Sequence, residues 1–200
     1  MRLPNAVHTA QPWVIAEIAP DFTLLDVWAL PVEGSREDFG RLLEVMASLD
    51  PADAGAVTRL LFWVRRQLGG LLGWDDATNP QPIPGCAETT LSDRLPAPLR
   101  GSAESLGRDA ALQRDAAFSP LYRTDDEWAA EISNDTVHGV LHLAWIDQGY
   151  GHYRGQLAVY VKPRGNLGAA YLKLISPFRH LIVYPAVMRH IQRAWEARAA

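Results

Sequence analysis

Two histidines four residues apart, in the stretch HGVLH from His138 to His142, are the residues whose type and spacing first suggest chemistry. On a helix, histidines at this spacing share one face and bind zinc in metalloproteases, where the motif is H-E-x-x-H and its glutamate is the general base. Here Gly139 stands in the place of that glutamate, so the general base is missing. Whether the pair could still hold a metal depends on whether the stretch is a helix or a strand.

The residues around the histidines alternate as in a β-strand. In TVHGVLHLAWID (136–147) and in YRGQLAVYVKP (153–163) the odd-numbered positions form an apolar set and the even-numbered positions are mixed. A hairpin with a loop over 148–150 unites the two apolar faces and places His142 opposite Gln156 and His138 opposite Tyr160. Residues four apart in a strand stand roughly 13 Å from each other, whereas two imidazoles on one zinc need nitrogens within about 4 Å. We therefore expect no metal and no other cofactor at this pair.

The same histidines are candidates for proton transfer, because imidazole titrates near neutrality. The predicted catalytic residues are His138, His142 and Tyr160. The alternative, which the predicted register favours, is that both histidines are half-exposed members of cross-strand pairs. A slip of one residue in either strand would turn them inward, where a buried imidazole facing a cavity would be a stronger catalytic candidate.

Two further charged sites suggest chemistry less strongly. Asp125, Asp126 and Glu127 resemble a paired-carboxylate site, but they fall between two predicted strands, where acidic residues form turns, and we predict a solvated turn. Arg179 and His180 interrupt an apolar helical stretch. An arginine there could meet the acidic head group of a ligand; the alternatives are an internal ion pair or a plain surface residue.

Composition limits the classes of function. With 200 residues, 48% hydrophobic and 21% charged, the chain is predicted to be one globular domain over residues 1–200. The formal net charge of -4 gives no electrostatic reason to expect a nucleic-acid partner. Charged residues break the two most apolar stretches (59–74 and 171–188), so no integral membrane span is expected. The single cysteine, Cys86, and an amino terminus without an apolar signal segment predict a cytoplasmic protein; nothing indicates the oligomeric state.

Periodicity predicts the elements that would position these residues. Residues 12–20 alternate as a first strand, and residues 35–50 form a helix capped by Ser35, with Asp38 in the reciprocal position. A second helix begins at Pro51 and carries an apolar stripe through residue 72. Four short segments (118–124, 127–134, 136–147 and 153–163) have the spacing of an antiparallel meander. A long final helix over 166–197 should bend or break at Pro177 and Pro185, unless one of them opens a new segment.

The runs ISNDTVHGVLHLAWI and LGAAYLKLISPFRHLIVYPAVM resemble the carboxy-terminal half of an uncharacterised bacterial family of domains of unknown function. Members of that family are sometimes fused behind short-chain-dehydrogenase-like or epimerase-like domains. The order of elements is also similar to the helix-grip fold of START-like, polyketide-cyclase-like and lipid-transfer proteins. The resemblance implies an α+β fold in which a curved antiparallel sheet wraps around a long carboxy-terminal helix, with two amino-terminal helices. It implies no particular activity.

A helix-grip fold would enclose an apolar cavity between the sheet and the final helix, and such cavities are common small-molecule sites. The alternative is that the same residues pack a solid core. The predicted ligand-binding residues are Leu141, Leu143, Trp145, Leu157, Val159, Leu172, Ile175, Phe178 and Arg179.

Three functions therefore stay open. The protein could bind a hydrophobic or aromatic small molecule, or it could be a cofactor-free cyclase, dehydratase or isomerase that uses a His or Tyr of the cavity. The fusions of the family suggest, third, an accessory domain that partners an oxidoreductase. An enzyme needs a titratable side chain facing the cavity and a binding protein does not, so the facing of His138 and His142 separates the first two.

Overall fold

The structure is a computed structural model, and it describes residues 1–47, 82–85, 89–100, 118–133, 137–165, 168, 169, 172, 176, 177 and 179–198. Its strands are β1 (Arg2–Leu3), β2 (Thr23–Gly34), β3 (Ser119–Arg123), β4 (Glu127–Ser133), β5 (Val137–Gly149) and β6 (His152–Pro163). These six strands form one curved antiparallel sheet in the order β1-β2-β6-β5-β4-β3. The predicted α+β class and the predicted meander, which is β3 to β6, are confirmed.

The described helices are α1 (Asn5–Thr9), α2 (Val14–Ile18), α3 (Phe39–Ala47) and α4 (Tyr184–Ala197). A 3-10 turn over Arg36–Asp38 leads into α3, two more lie at Ser92–Arg94 and Ala97–Leu99, and a π-helical turn over Arg179–Val183 precedes α4. No helix in the described ranges is both long enough and apolar enough to cross a membrane. The helix predicted from residue 51 to 72 lies outside the described residues.

The predicted cap at the start of α3 is confirmed. The Ser35 N–H donates to Asp38 Oδ2 at 2.7 Å, and the Ser35 hydroxyl donates to the same oxygen at 2.8 Å. The two hydrogen bonds hold the pKa of Asp38 below its usual value, and the bond from the hydroxyl has the larger effect. The cap fixes the start of the helix that covers one face of the sheet.

The strand predicted over residues 12–20 is wrong, because this segment contains the short helix α2. Ile15 and Ile18 are both fully buried, and their spacing of three places them on one side of a helical turn. The strands that precede the meander are β1 and β2, which were not predicted. In β2 the neighbours Asp26 and Val27 are both fully buried on opposite sides of the sheet, so the strand lacks a polar face that alternation would reveal.

Odd residues of β5 lie opposite odd residues of β6, as predicted, but the register is shifted by two residues. His142 lies opposite Ala158 and His138 opposite Lys162, so the predicted pairings with Gln156 and Tyr160 are wrong. The cause is the turn, which consists of Tyr150 and Gly151 with φ of 54° and 77°, together with the register irregularity between Asp147 and Gly149. Positive φ at both central positions is typical of a type I′ hairpin turn.

Both faces of the sheet are covered. The N-terminal face carries the even-numbered residues of β5 and packs against α1, α2 and the segment around Leu91 and Leu95. The helix face carries the odd-numbered residues of β5 and packs against α3 and α4, with Ile191 and Trp195 buried on α4. Pro185 stands in the first turn of α4, so it opens a new segment after the π-helical turn. The two cores place every residue of β5 from His138 to Trp145 in contact with protein on one side or the other.

Candidate functional site

The predicted catalytic histidines lie on the N-terminal face, and both are fully buried. The prediction that both histidines are half-exposed is therefore wrong, because helices cover this face of the sheet as well. His142 Nε2 lies 2.9 Å from Glu127 Oε2, and His138 Nε2 lies 2.7 Å from Glu131 Oε2. The two histidines of β5 and the two glutamates of the neighbouring strand β4 thus form two buried His–Glu pairs.

The two pairs repeat because the spacing in β4 matches the spacing in β5. Glu127 and Glu131 in EWAAE are four residues apart, as are the histidines of HGVLH, and all four side chains point to the N-terminal face. Glu127 lies opposite Ala144, so its carboxylate reaches diagonally to His142. Glu127 begins a strand and is 4% exposed, so its assignment to a solvated turn is wrong.

Glu127 gathers three hydrogen-bond donors. Besides His142 Nε2, its carboxylate accepts from the Tyr122 hydroxyl at 2.9 Å and from the Val14 backbone N–H at 3.1 Å. Burial, and then the charge of Glu127, raises the pKa of Tyr122 far above its usual value, which keeps the phenol protonated as a donor. The carboxylate thus holds the His142 ring in the tautomer that carries hydrogen on Nε2.

A third histidine, His8 of α1, completes this group. His8 Nδ1 lies 2.5 Å from Gln156 Oε1, and its ring centroid is 5.1 Å from that of His142. Burial, and then the neighbouring His142, lowers the pKa of His8 to about 4, so its imidazole is neutral at pH 7. Tyr160, the third predicted catalytic residue, lies 5.7 Å from His8 between ring centroids, and burial followed by the charge of Glu127 raises its pKa to about 12.

Each of these three imidazoles keeps one nitrogen without a hydrogen-bond partner among the described residues. These atoms are His8 Nε2, His138 Nδ1 and His142 Nδ1, and all three are buried. Because the other nitrogen of each ring lies against an acceptor, it is the unpartnered nitrogen that carries the lone pair when the ring is neutral. Buried polar atoms without a hydrogen-bond partner are uncommon, and they are typical of a catalytic role or of a place where a water molecule or an ion binds. In the described part of the chain no three His, Cys, Asp or Glu side chains are arranged to hold a metal ion.

On the helix face, the predicted ligand-binding residues divide into two sets. Leu143, Trp145 and Leu157 are at most 3% exposed and pack in the core with α3 and α4. Leu141 and Val159 lie opposite each other in β5 and β6 and are only half-buried. Leu172 is half-buried in a helical turn. The other two predicted ligand-binding residues of this segment, Ile175 and Phe178, lie outside the described residues.

The remaining predicted ligand-binding residue, Arg179, belongs to a group that we call the Asp26 cluster. Asp26 is fully buried in β2 and lies opposite Val159 of β6. Four side chains surround its carboxylate: Arg179 Nη2 at 2.8 Å, His180 Nε2 at 2.6 Å, the Tyr184 hydroxyl at 3.2 Å and Arg2 Nη2 at 3.3 Å. The cluster therefore ties the amino terminus and the C-terminal helical segment to the centre of the sheet.

The π-helical turn presents Arg179 and His180 to Asp26, and Tyr184 follows at the start of α4. Such wide turns are rare in helices and are frequent at functional sites. Burial, and then the charge of Asp26, raises the pKa of Tyr184 far above its usual value, so its hydroxyl stays protonated and donates to Asp26. The Tyr184 ring also packs against Trp28, with centroids 4.6 Å apart.

Asp26, His8, Arg2 and Tyr184 were not among the predicted site residues. The available signal for Asp26 was one acidic residue inside the apolar run TLLDVWALPV, where a buried charge requires partners. No comparable signal marks His8, which reaches Gln156 across 148 positions of sequence.

A third feature is an open cleft of about 390 Å³ near the start of α3 and the end of β3. It shares no lining residue with either buried group. Its lining residues are Arg36, Glu37, Phe39, Gly40, Arg123, Thr124 and Asp125.

Comparisons with known proteins give one match. Residues 18–186 match the model of a family described as "Protein of unknown function (DUF2867)". No curated protein and no solved structure matches the chain. The match covers β2 to the first residues of α4, and so both buried groups apart from Arg2, His8 and Val14.

Proposed function

Because this chain belongs to the DUF2867 family, whose description names no activity, we propose a function from the geometry: it binds a hydrophobic or aromatic small molecule between the sheet and the C-terminal helix. The observation that carries the proposal is the half-buried state of Leu141 and Val159 on the two central strands. Apolar side chains that face a covering helix at the centre of a sheet are ordinarily buried, as Leu143 and Leu157 are here.

The surroundings of these two residues favour a ligand over simple surface exposure. Val159 lies opposite Asp26, so the half-buried apolar pair continues directly into the Asp26 cluster. Apolar walls with a few convergent polar groups are the usual composition of a small-molecule site. We further propose that the sheet and final helix form a helix-grip arrangement of the START-like kind, and that the protein is cytoplasmic, as its single cysteine suggests.

An uncharged aromatic probe tests the proposal. N-phenyl-1-naphthylamine fluorescence should rise saturably with the native protein and should lose at least about tenfold in affinity in Leu141→Trp, which fills the half-buried position. The matched control is Leu181→Trp, because Leu181 is 77% exposed in the π-helical turn before α4 and its replacement should leave binding unchanged. Circular dichroism establishes that both variants fold, and Val159→Ala is the replacement if Leu141→Trp does not. The absence of saturable binding to the native protein would contradict the proposal.

We propose acid–base catalysis, of the cyclase, dehydratase or isomerase kind, as a second candidate. The observation in its favour is the group on the N-terminal face, in which Glu127 orients His142 and leaves Nδ1 free, beside the neutral His8. A carboxylate that orients an imidazole is the recurring arrangement of enzymatic general bases. In this scheme His142 Nδ1 removes a proton from the carbon next to a carbonyl group, the electrons of the C–H bond move to the carbonyl oxygen as an enolate, and Glu127 stabilises the imidazolium that forms.

Solvent exchange tests this second candidate. Exchange of the α-protons of 1-tetralone in deuterium oxide, followed by NMR, should be faster with the protein and should lose most of that acceleration in His142→Gln, since one general base contributes about 10²- to 10⁴-fold. His152→Gln is the control, because His152 is exposed at the start of β6. Equal exchange rates with the native protein and with His142→Gln would exclude His142 as the base for this probe.

A further inference from the structure

We propose that the ligand of the sheet–helix site carries an anionic head group, which Arg2 and Arg179 of the Asp26 cluster bind while Val159 and Leu141 contact its apolar part. The inference rests on the proposed binding function and names the class of ligand, an amphipathic carboxylate or phosphate ester. It follows from the hydrogen bonds, the charge, the exposure and the strand spacing of the cluster.

The hydrogen bonds of Asp26 are already complete. A carboxylate offers about four lone-pair positions, and four donors occupy them, two on each oxygen. Each guanidinium carries five N–H donors, so Arg2 and Arg179 have more donors than Asp26 can accept. Among the described residues Arg179 Nε is buried and has no hydrogen-bond partner. Within the described part of the chain, the cluster therefore offers more donors than acceptors.

The charge of the cluster is also unbalanced. Two arginines and one carboxylate leave a net positive charge of one on these three side chains, and among the residues that the structure describes the ion pairs of Arg2 and Arg179 both go to Asp26. His180 is a third basic side chain on Asp26: its Nε2 lies 2.6 Å from Asp26 Oδ1, and its Nδ1 lies 2.7 Å from the carbonyl oxygen of Ser176. A partly buried positive charge is costly unless an anion pairs with it.

Solvent can reach the basic side chains of the cluster but not Asp26. The side chains of Arg2, His180 and Arg179 are 55%, 21% and 17% exposed, whereas Asp26 is 0% exposed. An anion that enters from outside would meet the free sides of the guanidinium groups, which match carboxylate and phosphate oxygens in geometry. The buried Asp26 would hold those groups in place without repelling the ligand at contact distance.

The strand order places the apolar contacts beside this charge. Asp26 in β2, Val159 in β6 and Leu141 in β5 are consecutive partners across three neighbouring strands. Strands lie about 4.8 Å apart, so Leu141 stands roughly 10 Å from the position of Asp26. That distance suits a head group followed by a chain of about six to eight carbons or by two fused rings.

The protein contains a natural control for a general charge effect. Lys162 and Arg94 both contact Asp21, at 2.5 and 2.6 Å, so that group also has two cations and one acid. Asp21 is 30% exposed there, so water can solvate the charge, and the group is separate from Leu141 and Val159. Lys162→Gln and Arg179→Gln change the net charge equally, and only the second removes a cation from the proposed site.

Calorimetric titration of the full chain with octanoate, octyl phosphate, 1-octanol and inorganic phosphate tests the proposal. We expect an octyl anion to bind at least about tenfold more tightly than 1-octanol, and Arg179→Gln to abolish that difference without weakening 1-octanol binding. Lys162→Gln should preserve the difference. Whichever of octanoate and octyl phosphate binds more tightly identifies the head group. If Arg179→Gln does not fold, Arg2→Gln replaces it, since Arg2 is the more exposed of the two.

Each contrary result has a distinct meaning. Equal affinity for 1-octanol and both anions would overturn the head-group proposal and leave the binding function intact. Inorganic phosphate that binds as tightly as the octyl anions would show an anion site without an apolar part and would overturn the amphipathic ligand. Failure of all three octyl compounds to bind would remove the binding function itself.

Discussion

The two faces of the sheet each bury a carboxylate against a histidine, but they do so in different ways. On the N-terminal face, Glu127 and Glu131 pair one-to-one with histidines of the adjacent strand, and every member is at most 4% exposed. On the helix face, Asp26 alone lies in the sheet, and its partners come from the amino terminus and from the C-terminal segment. The first arrangement is closed within the sheet, and the second joins separate parts of the chain.

The balance of charge differs as well. Glu127 is surrounded by uncharged donors in addition to His142, and its neighbour His8 is neutral because burial lowers its pKa. Asp26 faces two arginines that stay charged at any pH of interest, and both keep contact with solvent. A closed group with unpartnered nitrogens suits proton transfer, whereas an open group with excess positive charge suits ligand binding.

The largest expected effect is on the stability of the fold, and it distinguishes the centre of the Asp26 cluster from the protein surface. Asp26→Asn should lower the free energy of unfolding by about 3 to 5 kcal/mol, because it leaves the partly buried Arg179 without its counter-charge. Urea denaturation followed by circular dichroism measures the change. Asp125→Asn is the control, since Asp125 is 90% exposed, and it should shift the value by less than about 0.5 kcal/mol. If the two variants had equal effects, the Asp26 cluster would not contribute to the stability of the fold.

The next largest effect is a loss of stability at low pH, which we expect from His8 on the N-terminal face. The pKa of His8 is about 4 in the folded protein and about 6.5 in the unfolded chain, so below pH 6.5 the unfolded state binds more protons. Stability should therefore be unaffected by His8 above pH 6.5 and should fall between about pH 6.5 and 4, by up to about 3 kcal/mol in total. The groups that face the ring are Gln156, His142, Glu127 and Tyr160.

The difference between the native protein and His8→Gln isolates this term from the titration of other groups. Urea denaturation at a series of pH values should give a difference in stability that is constant above about pH 6.5 and changes steadily below it. His152→Gln, at an exposed position, should give no such pH-dependent difference. A flat difference for His8→Gln would mean that His8 does not stay neutral in the folded protein.

The sequence predicts the meander well and the facing of its residues poorly, for a physical reason. Alternation in 136–147 separates two sets of side chains, and β5 has those two sets as predicted. Alternation does not say that one set faces water, because a helix can cover the mixed face as well as the apolar one. His138 and His142 were expected to be half-exposed for this reason, and both are buried.

The His–Glu pairs also depended on information that a single strand does not contain. EWAAE and HGVLH each show the spacing of four, but only the pairing of Glu127 with Ala144 brings the two sets together. The two-residue turn at Tyr150 and Gly151, together with the irregularity between Asp147 and Gly149, makes the observed register differ from the predicted one by two residues. The Asp26 cluster joins residues 2, 26, 179, 180 and 184, so it could be found only from the tertiary structure.

The smallest effect distinguishes the rim of the Asp26 cluster from its centre. Arg2→Gln should lower the free energy of unfolding by less than about 1 kcal/mol, because the Arg2 side chain is 55% exposed and its ion pair with Asp26 is the longest of the cluster. Urea denaturation at low and high salt measures it, and the small loss should shrink further at high salt, which screens exposed pairs. A loss as large as that of Asp26→Asn would mean that Arg2 is an integral part of a closed group. The helix face would then resemble the N-terminal face, and the cations of the cluster would not be available to an external anion.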